Sequence, residues 1–464
     1  MNSSTTSHLQ AHSRGHLPVG WTALLHFPAA RLGVWCILGL LAAPVVLAQE
    51  VTDTIRVRTR VVFMDALVKD KKTGVPISDL KPENFELLDD GTPRTISYFT
   101  REGQARKPLA LIIILDCRED GAGRFLKRPE ILKAMADELA KLPPGDEVGI
   151  MAMNIGEDEH RVWLTSFTND RTQLAVALAR VPKYVERPDN LPDEAEVRKS
   201  AAQAQKEDKG KGSLSISTSS PKKSENENKS DQTAQSQPKP EDILETETIK
   251  GKNGSTVTRT TMKDGTINIK RVNGSGKVQL EVNDVYDMAA AVRDATRTAE
   301  RDRPNSQTAI VWVSDGIAPI FYEDRDATEQ ILIRSNTIFS SLTVDLRTLF
   351  KFLLPIGKPI AGWVGVSLYG SAKHLAQSSG GEAVRVNRTS DYGAGLAKII
   401  GNLTARYSLG FALREDEKDD GRMHELAVRV KALDAKGKQR KLQVSSRRGY
   451  YLPKSDTERA SANQ

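Results

Sequence analysis

The sequence predicts an α/β fold with a doubly wound, mostly parallel sheet, flanked by a β-rich unit formed from N- and C-terminal strands. The first observation is an unbroken apolar run from Leu109 to Leu115 that stops at Asp116. Such a run is typical of a strand buried on both faces of a parallel sheet. The second is a similar run over residues 308–314, which ends at Asp315. The third is that apolar residues at helical spacing separate the strands, as covering helices require.

Asp116 and Asp315 are the first candidate site residues. In open α/β sheets, ligands bind in the crevice beyond the carboxyl ends of the strands, and both carboxylates stand where such a crevice begins. The alternative is that each aspartate is simply the first loop residue after a buried strand. Because the pattern occurs at two strands, it favours a site.

The first 48 residues have the pattern of a signal peptide. Arg31 precedes a short apolar stretch over residues 32–48, which ends in Val-Leu-Ala. A positive flank, an apolar core and a small residue at the cut define an export signal. A membrane-spanning helix needs about 20 apolar residues, more than this stretch supplies. We therefore expect export to the periplasm, the cell envelope or the medium, with membrane association only if the signal stays uncleaved.

Charge and cysteine content argue against a nucleic-acid-binding protein and against a protein stabilised by disulfides. The net charge is +7, and loss of Arg14 and Arg31 with the signal would leave +5 (7 − 2), since residues 1–48 contain no acidic residue. Positive and negative residues are mixed along the chain, which is not the pattern of a nucleic-acid-binding protein. Of the two cysteines, Cys36 lies in the signal. Cys117 then has no partner for an internal disulfide and is expected to fill the core.

Both ends of the remaining chain are predicted to be β-rich. Residues 51–103 contain several strand-like runs and a hairpin signal at Asp89-Asp90-Gly91, but they are too few for a full sandwich. Residues 406–452 contain further strand-like runs, and residues 453–464 are predicted to be a disordered tail. We expect the strands of both ends to form one β unit.

Between these ends, residues 104–405 are predicted to form the α/β domain. Strands and amphipathic helices alternate along it. The apolar residues of the expected helices lie within 131–142, 174–181, 285–299, 331–342, around 375 and within 392–403, and the expected strands cover 109–116, 147–153, 160–165, 308–314, 343–346 and 382–385.

A long insert, residues 186–282, interrupts this domain. Residues 196–242 lack aromatic side chains and almost all aliphatic ones. They cannot bury enough surface to offset the entropy of ordering and are predicted to be disordered. Residues 243–282 alternate polar and apolar residues between Asn-Gly and Asp-Gly turns, which predicts a small β-meander. Because its apolar face is thin, we expect this meander to project from the domain.

The order of elements and several short motifs resemble a von Willebrand factor A domain. In particular, they are similar to exported bacterial proteins related to it, which place such a domain between β-rich ends. The matching motifs lie at residues 109–120, 144–148, 167–170, 285–287, 313–316, 379–381, 407–411, 420–424 and 448–450. The resemblance covers roughly residues 55–451 apart from the insert, and it implies a doubly wound sheet with a protein-binding function.

The family carries a metal-ion-dependent adhesion site whose first loop has the motif Asp-x-Ser-x-Ser. Mapped onto this sequence, the resemblance implies Mg²⁺ ligands at Asp116, Asp120 and Asp315, with a fourth near Asn283 or Asp284. Arg118 stands where the motif has its first serine, and a guanidinium offers only donors and a permanent charge. We therefore expect a degenerate site. Either Arg118 neutralises the carboxylates itself, or it swings outward and Asp120 supplies an oxygen to Mg²⁺.

An apolar loop over residues 349–370 supplies candidate partner-binding residues. The loop follows a predicted strand, so it belongs to the same rim of the sheet as Arg118, which is a further candidate. Phe350, Phe352 and Trp363 are of types favoured at protein interfaces. The alternative is that the loop packs on its own domain.

These features predict an exported protein-binding or adhesion-type module with an unknown protein ligand, and not an enzyme. The chain has no Gly-Lys-Ser/Thr phosphate loop and no Gly-x-Ser-x-Gly elbow. His160, His374 and His424 are dispersed among different elements. Two alternatives stay open. One is an envelope hydrolase that uses Asp116, Asp120 and Asp315 for acid–base work, and the other is a purely structural envelope protein.

Cleavage of the signal can be checked directly. N-terminal sequencing of the exported protein is expected to begin near Gln49, after the small residue that ends the apolar stretch. An exported protein that still begins at Met1 would contradict this prediction and identify the segment as an anchor.

Overall fold

The part of the chain that the structure describes includes most of the predicted elements. The computed structural model describes residues 60–101, 107–118, 126–153, 161–184, 240–251, 253–263, 267–316, 318, 320–344, 366–367 and 370–452. Predictions about the signal peptide, residues 196–239, Asp120, the apolar loop with Phe350, Phe352 and Trp363, and the tail 453–464 concern residues outside these ranges and stay predictions. Within the described ranges, none of the helices is long and apolar enough to cross a membrane.

The described elements begin and end with strands and alternate between strand and helix in the middle. In chain order, the strands are β1 Val61–Asp70, β2 Phe85–Asp89, β3 Thr92–Arg94, β4 Tyr98–Thr100, β5 Leu109–Asp116, β6 Glu147–Met153, β7 Arg161–Thr168, β8 Ile243–Lys250, β9 Thr256–Met262, β10 Ile267–Val272, β11 Val278–Val285, β12 Gln307–Ser314, β13 Ile320–Phe321, β14 Ile338–Val344, β15 Val366–Ser367, β16 Ala383–Val386, β17 Tyr407–Ala412, β18 Met423–Val430, β19 Leu442–Ser446 and β20 Gly449–Tyr451. The helices are α1 Pro129–Leu139, α2 Arg171–Ala179, α3 Met288–Asp302, α4 Tyr322–Arg334, α5 Ser371–Ser378 and α6 Tyr392–Thr404.

The central sheet has six strands in the order β16-β14-β12-β5-β6-β7. Neighbouring strands are parallel except β6 and β7, which pair antiparallel. The chain builds one side of β5 first and then returns to build the other side, starting with β12. This is the doubly wound arrangement that the sequence predicts, and the strand order reverses between β5 and β12.

The two faces of β5 belong to two different cores. All eight residues of β5 are buried. Leu111, Ile113 and Leu115 pack with helices α1, α2 and α6, whereas Ile112 and Ile114 pack with α3 and α5. This alternation is the period of two of an extended strand. Helices on both faces explain why the run contains no polar residue before its last position.

The strands from the two ends of the chain form one β sandwich, as predicted. Its sheets have the orders β19-β1-β17-β4 and β20-β18-β2-β3, so each sheet contains strands from both ends. Val62 and Phe411 of the first sheet share a buried cluster with Leu87 and Tyr450 of the second. The N-terminal strands therefore need the C-terminal strands to cover their apolar face.

Buried cations join the sandwich to the α/β domain. Arg447 donates to the main-chain carbonyl of Ile333 at 3.2 Å, and Arg406 donates to that of Gly380 at 2.7 Å. Both arginines are only 8% exposed. The described residues between 60 and 452 accordingly form one compact unit.

One predicted helix is too long. The apolar residues from 331 to 342 do not form a single helix, because α4 ends at Arg334 and β14 begins at Ile338. Between them, Asn336 adopts a positive φ of 53°, which interrupts a right-handed helix. Every residue of β14 is buried, since the strand lies between β12 and β16 in the sheet. Thr343 and Val344, the described part of the strand predicted over 343–346, are therefore the end of the longer strand β14.

The insert ends in a β-meander, as predicted, and the structure gives it four strands in the order β11-β10-β9-β8. This meander does not project from the domain. Val257, Ile267 and Ile269 are buried in the same core as α3. Strand β11 also continues to Val285, beyond the predicted end of the insert. Pro240–Asp242 form a 3₁₀ helix, which corrects the end of the segment predicted to be disordered.

Buried charges hold the meander against the helices. Arg259 of β9, whose side chain is 3% exposed, lies 3.2 Å from the carboxylate of Asp287, the N-cap of α3, and also pairs with Asp324 of α4. Arg293 of α3 donates to the second oxygen of Asp324 at 2.8 Å. Burial raises the pKa of Asp324, so the carboxylate depends on both guanidinium groups to stay ionised. The expectation of a projecting meander failed because charged strand residues usually face solvent, whereas Arg259 faces inward.

Arg259→Ala is expected to lower the free energy of unfolding by about 3–5 kcal/mol, because it takes the shared cation from the buried carboxylate of Asp324 and the half-buried carboxylate of Asp287. The matched control is Arg297→Ala, since Arg297 is 58% exposed and pairs with Glu245 of the same meander. Its loss is expected to cost no more than about 1 kcal/mol. Urea unfolding measures both, and equal stabilities would show that the buried pairs do not hold the meander.

Candidate functional site

The candidate site lies at the carboxyl ends of β5 and β12. Asp116 is the last residue of β5, and Asp315 directly follows β12. The two strands are parallel neighbours at the point where the strand order reverses, so their ends bring both carboxylates to one crevice. Both side chains are only 2% exposed. Two buried negative charges in one crevice need a cation beside them.

Arg118 supplies that cation from the loop that leaves β5. Its Nε donates to Oδ1 of Asp116 at 3.0 Å, and its Nη2 donates to Oδ2 at 2.9 Å. This is the bidentate pairing of a guanidinium with a carboxylate. Nη2 also donates to Oδ1 of Asp315 at 3.3 Å. Of the two arrangements expected from the sequence, the structure has the one in which Arg118 points inward.

Two residues that the sequence reasoning missed support this arrangement. The hydroxyl of Ser314 donates to Oδ2 of Asp116 at 2.8 Å and lies 3.2 Å from Oδ1 of Asp315. Tyr392 of α6 donates to the main-chain carbonyl of Ser314 at 2.9 Å. A hydroxyl next to a strand-ending aspartate is the signal that points to Ser314, whereas Tyr392 is indistinguishable in sequence from the apolar face of its helix. Asp116, Arg118, Ser314 and Asp315 are called the rim cluster below.

The residue between Asp116 and Arg118 is a buried thiol. Cys117 packs in the core with α1, α2 and α6. Burial raises the pKa of this thiol to about 12, against the opposing effect of the Lys127 charge. A thiol with this pKa is not a nucleophile at neutral pH. Cys117 therefore fills the core, as the sequence predicts.

Of the remaining predicted site residues, the structure describes Asn283. It is an exposed residue of β11 in the meander sheet and does not stand in a loop, because β11 continues to Val285. The loop that follows presents Asp287, which caps α3 by accepting from the backbone N–H of Ala290 at 2.8 Å. The residues outside the described ranges, whose roles stay predictions, are Asp120, Phe350, Phe352 and Trp363.

The rim cluster as arranged does not fit Mg²⁺. The ion needs oxygen ligands at about 2.0–2.1 Å in near-octahedral geometry. Both oxygens of Asp116 accept hydrogen bonds from Arg118, and the hydroxyl of Ser314 turns its hydrogen toward the same carboxylate. A permanent cation and its N–H donors thus occupy the space between the carboxylates.

Two other groups combine carboxylates with a histidine. They are Asp89, Asp90 and His424, and Asp326, Glu329 and His374. An arginine pairs with a carboxylate of each group, Arg422 with Asp90 at 2.9 Å and Arg448 with Glu329 at 2.5 Å. Since the chain supplies a counter-charge at both places, we assign these groups structural roles.

The comparison with known proteins gives likenesses of fold. No protein-family model matches the chain, and no curated protein matches it. The chain is similar to a von Willebrand factor type A structure from Catenulispora acidiphila, with a TM-score of 0.32, 9% identity and coverage of 81% of this chain and 74% of that one. It is also similar to the SpRpn10 VWA domain (TM-score 0.27, 10% identity, 62% of this chain and 93% of that one). A third similar structure is the pilus adhesin SpaC from Lactobacillus rhamnosus GG (TM-score 0.30, 8% identity, 82% and 49%).

The assignment of the fold rests on the chain's own strand order and not on the TM-scores of the similar structures. A mostly parallel, doubly wound sheet with one antiparallel edge strand carries a charged cluster at its switch point. Antiparallel sheets built from both ends of the chain flank it. This is the architecture that the resemblance to von Willebrand factor A proteins implies.

Ser314→Ala is expected to lower the free energy of unfolding by about 1–3 kcal/mol, because the buried carboxylate of Asp116 loses a hydrogen bond. Ser390→Ala is the control, since the side chain of Ser390 is exposed, and its effect is expected to stay within about 0.5 kcal/mol. Guanidinium chloride unfolding measures the difference. If the two variants are equally stable, the Ser314 hydroxyl does not support the carboxylate.

Proposed function

We propose that this chain is an exported protein-binding module of the adhesion type, which binds a protein partner with the rim at the carboxyl ends of its central sheet. The observation that carries the proposal is the rim cluster, which lies at the switch point where open α/β sheets bind their ligands. Buried ion pairs add little to stability compared with apolar residues of similar volume. Their presence in a ligand crevice therefore supports a binding role.

The accessible part of the rim cluster is its cation. The side chain of Arg118 is 23% exposed, whereas those of Asp116 and Asp315 are 2% exposed. A partner that docks on this rim meets the guanidinium first.

An exposed aromatic residue stands on the same rim. Tyr322 begins α4, the helix that follows β12 and the loop of Asp315, and it is 40% exposed. The guanidinium of Arg325 lies 5.2 Å from the centre of its ring. Tyrosine and arginine are enriched among the residues that dominate binding energy at protein interfaces. This pair adds to the anchors predicted within residues 349–370.

A binding role suits the two carboxylates better than hydrolysis does. General acid–base catalysis needs a carboxyl group within hydrogen-bond reach of the substrate. Asp116 and Asp315 are buried behind Arg118 and both accept hydrogen bonds from it. We therefore propose that the protein is not a hydrolase.

Export is part of the proposal and is supported by the N-terminal sequence alone. The positive flank at Arg31 and the apolar stretch that ends at Ala48 are the features of an export signal. The partner would then be a protein of the cell envelope or of the surroundings. The mixed charge of the chain does not favour a nucleic acid.

Partner capture with matched rim variants tests the proposal. The immobilised full chain is exposed to envelope extract of the producing organism, and a captured protein is then titrated in pure form. Tyr322→Ala is expected to raise the Kd at least about tenfold, because it removes an exposed aromatic anchor. Tyr98→Ala is the control, since Tyr98 is 37% exposed and lies near Leu109 at the opposite end of β5. It is expected to change the Kd by less than about twofold.

Two outcomes would contradict the proposal. Equal effects of Tyr322→Ala and Tyr98→Ala would show that the rim is not the binding surface. Turnover of esters, peptides or glycosides by the wild-type chain, lost in Asp116→Asn, would favour the hydrolase.

A further inference from the structure

We infer that the guanidinium of Arg118 is the permanent cation of the rim cluster and holds the position that the resemblance assigns to Mg²⁺. The two carboxylates then have a counter-charge without a metal ion. The inference concerns the chain alone, so it stands or falls independently of any partner.

The geometry places one cation against two carboxylates. Neighbouring strands of a sheet lie about 4.8 Å apart, so the ends of β5 and β12 hold Asp116 and Asp315 close together. Nη2 of Arg118 donates to both, at 2.9 Å and 3.3 Å. Nε of the same group occupies the second oxygen of Asp116. A single side chain thus bridges two of the carboxylates that the resemblance assigns to Mg²⁺.

The chemistry of the donors excludes an ion from the same place. A guanidinium carries only N–H donors and stays protonated at every physiological pH. Mg²⁺ needs oxygen lone pairs, and those of Asp116 face the N–H groups of Arg118 and the hydroxyl of Ser314. Metal binding would require Arg118 to leave and the hydroxyl to turn. Like charge would oppose any arrangement in which the ion and the guanidinium share the crevice.

The short chain segment between Arg118 and Asp116 further favours the guanidinium over a free metal ion. Arg118 is two residues from Asp116, and its backbone N–H points to Oδ1 of that carboxylate at 3.4 Å. A free ion must lose translational freedom and part of a tightly held hydration shell before it binds. The tethered guanidinium does not lose translational freedom when it pairs. Removal of Arg118 is therefore the change that should admit a metal ion.

Titration of Mn²⁺ into the full chain, followed by electron paramagnetic resonance, tests the inference. Mn²⁺ prefers the same oxygen ligands as Mg²⁺, and only the free ion gives the sharp six-line signal. The wild-type chain is expected to leave this signal undiminished. Arg118→Ser, which restores the serine of the motif, is expected to bind Mn²⁺ and so to reduce the signal of the free ion. Adding Asp315→Asn to this variant is expected to abolish the binding.

Thermal unfolding with Mg²⁺ against EDTA gives a second readout. At a Mg²⁺ concentration ten times the Kd, binding of the ion to the folded state alone should raise the melting temperature of Arg118→Ser by about 2 °C. The wild-type chain and Arg301→Ser should not respond. Arg301 is the matched control because its side chain is 73% exposed and pairs with Asp302 at the end of α3.

Two results would overturn the inference. One is a wild-type chain that binds Mn²⁺ and loses it on Asp315→Asn. The other is a folded Arg118→Ser protein that binds no Mn²⁺, because exclusion by the guanidinium predicts that its removal admits the ion. Circular dichroism shows whether Arg118→Ser is folded, and if it is not, the wild-type titration with Asp315→Asn decides alone.

Discussion

Two carboxylates buried side by side at the ends of neighbouring parallel strands are the constraint on which the rest of the site depends. Strand pairing fixes their separation, and their charge cannot stay buried without a cation. Arg118 supplies the cation, Ser314 supplies a hydroxyl, and Tyr392 joins Ser314 to the last helix of the domain. The crevice that a doubly wound sheet normally offers to a ligand is thus partly filled by the chain itself.

Arginine side chains also join parts of this structure at two other places. The buried Arg259 joins the meander to two helices through their carboxylates. Arg406 and Arg447 join the sandwich to the α/β domain through main-chain carbonyls. A guanidinium suits these places because it has five donors and is weakly hydrated. Cys117 is a free thiol, so within the described residues these junctions depend on packing and buried arginines.

The sequence predicted the features that depend on neighbours along the chain. The apolar run of β5 and the helical stripes predict the α/β class. The resemblance placed Arg118 beside Asp116 but left two arrangements open, of which the structure has the inward one. Specific side-chain contacts between the meander and the helices were not predictable. Arg259 and Asp324 are far apart in sequence, so nothing local shows that the strand residue faces inward. The helix break at Asn336 was missed because its neighbours fit a helical stripe as well as a strand.

An anomalous difference map from a crystal of the wild-type chain grown in Mn²⁺ tests the central claim most directly. The account predicts the guanidinium of Arg118 between Asp116 and Asp315, with no Mn²⁺ peak within coordination distance of either carboxylate. A Mn²⁺ peak bound by both carboxylates, with Arg118 turned out to solvent, would contradict it.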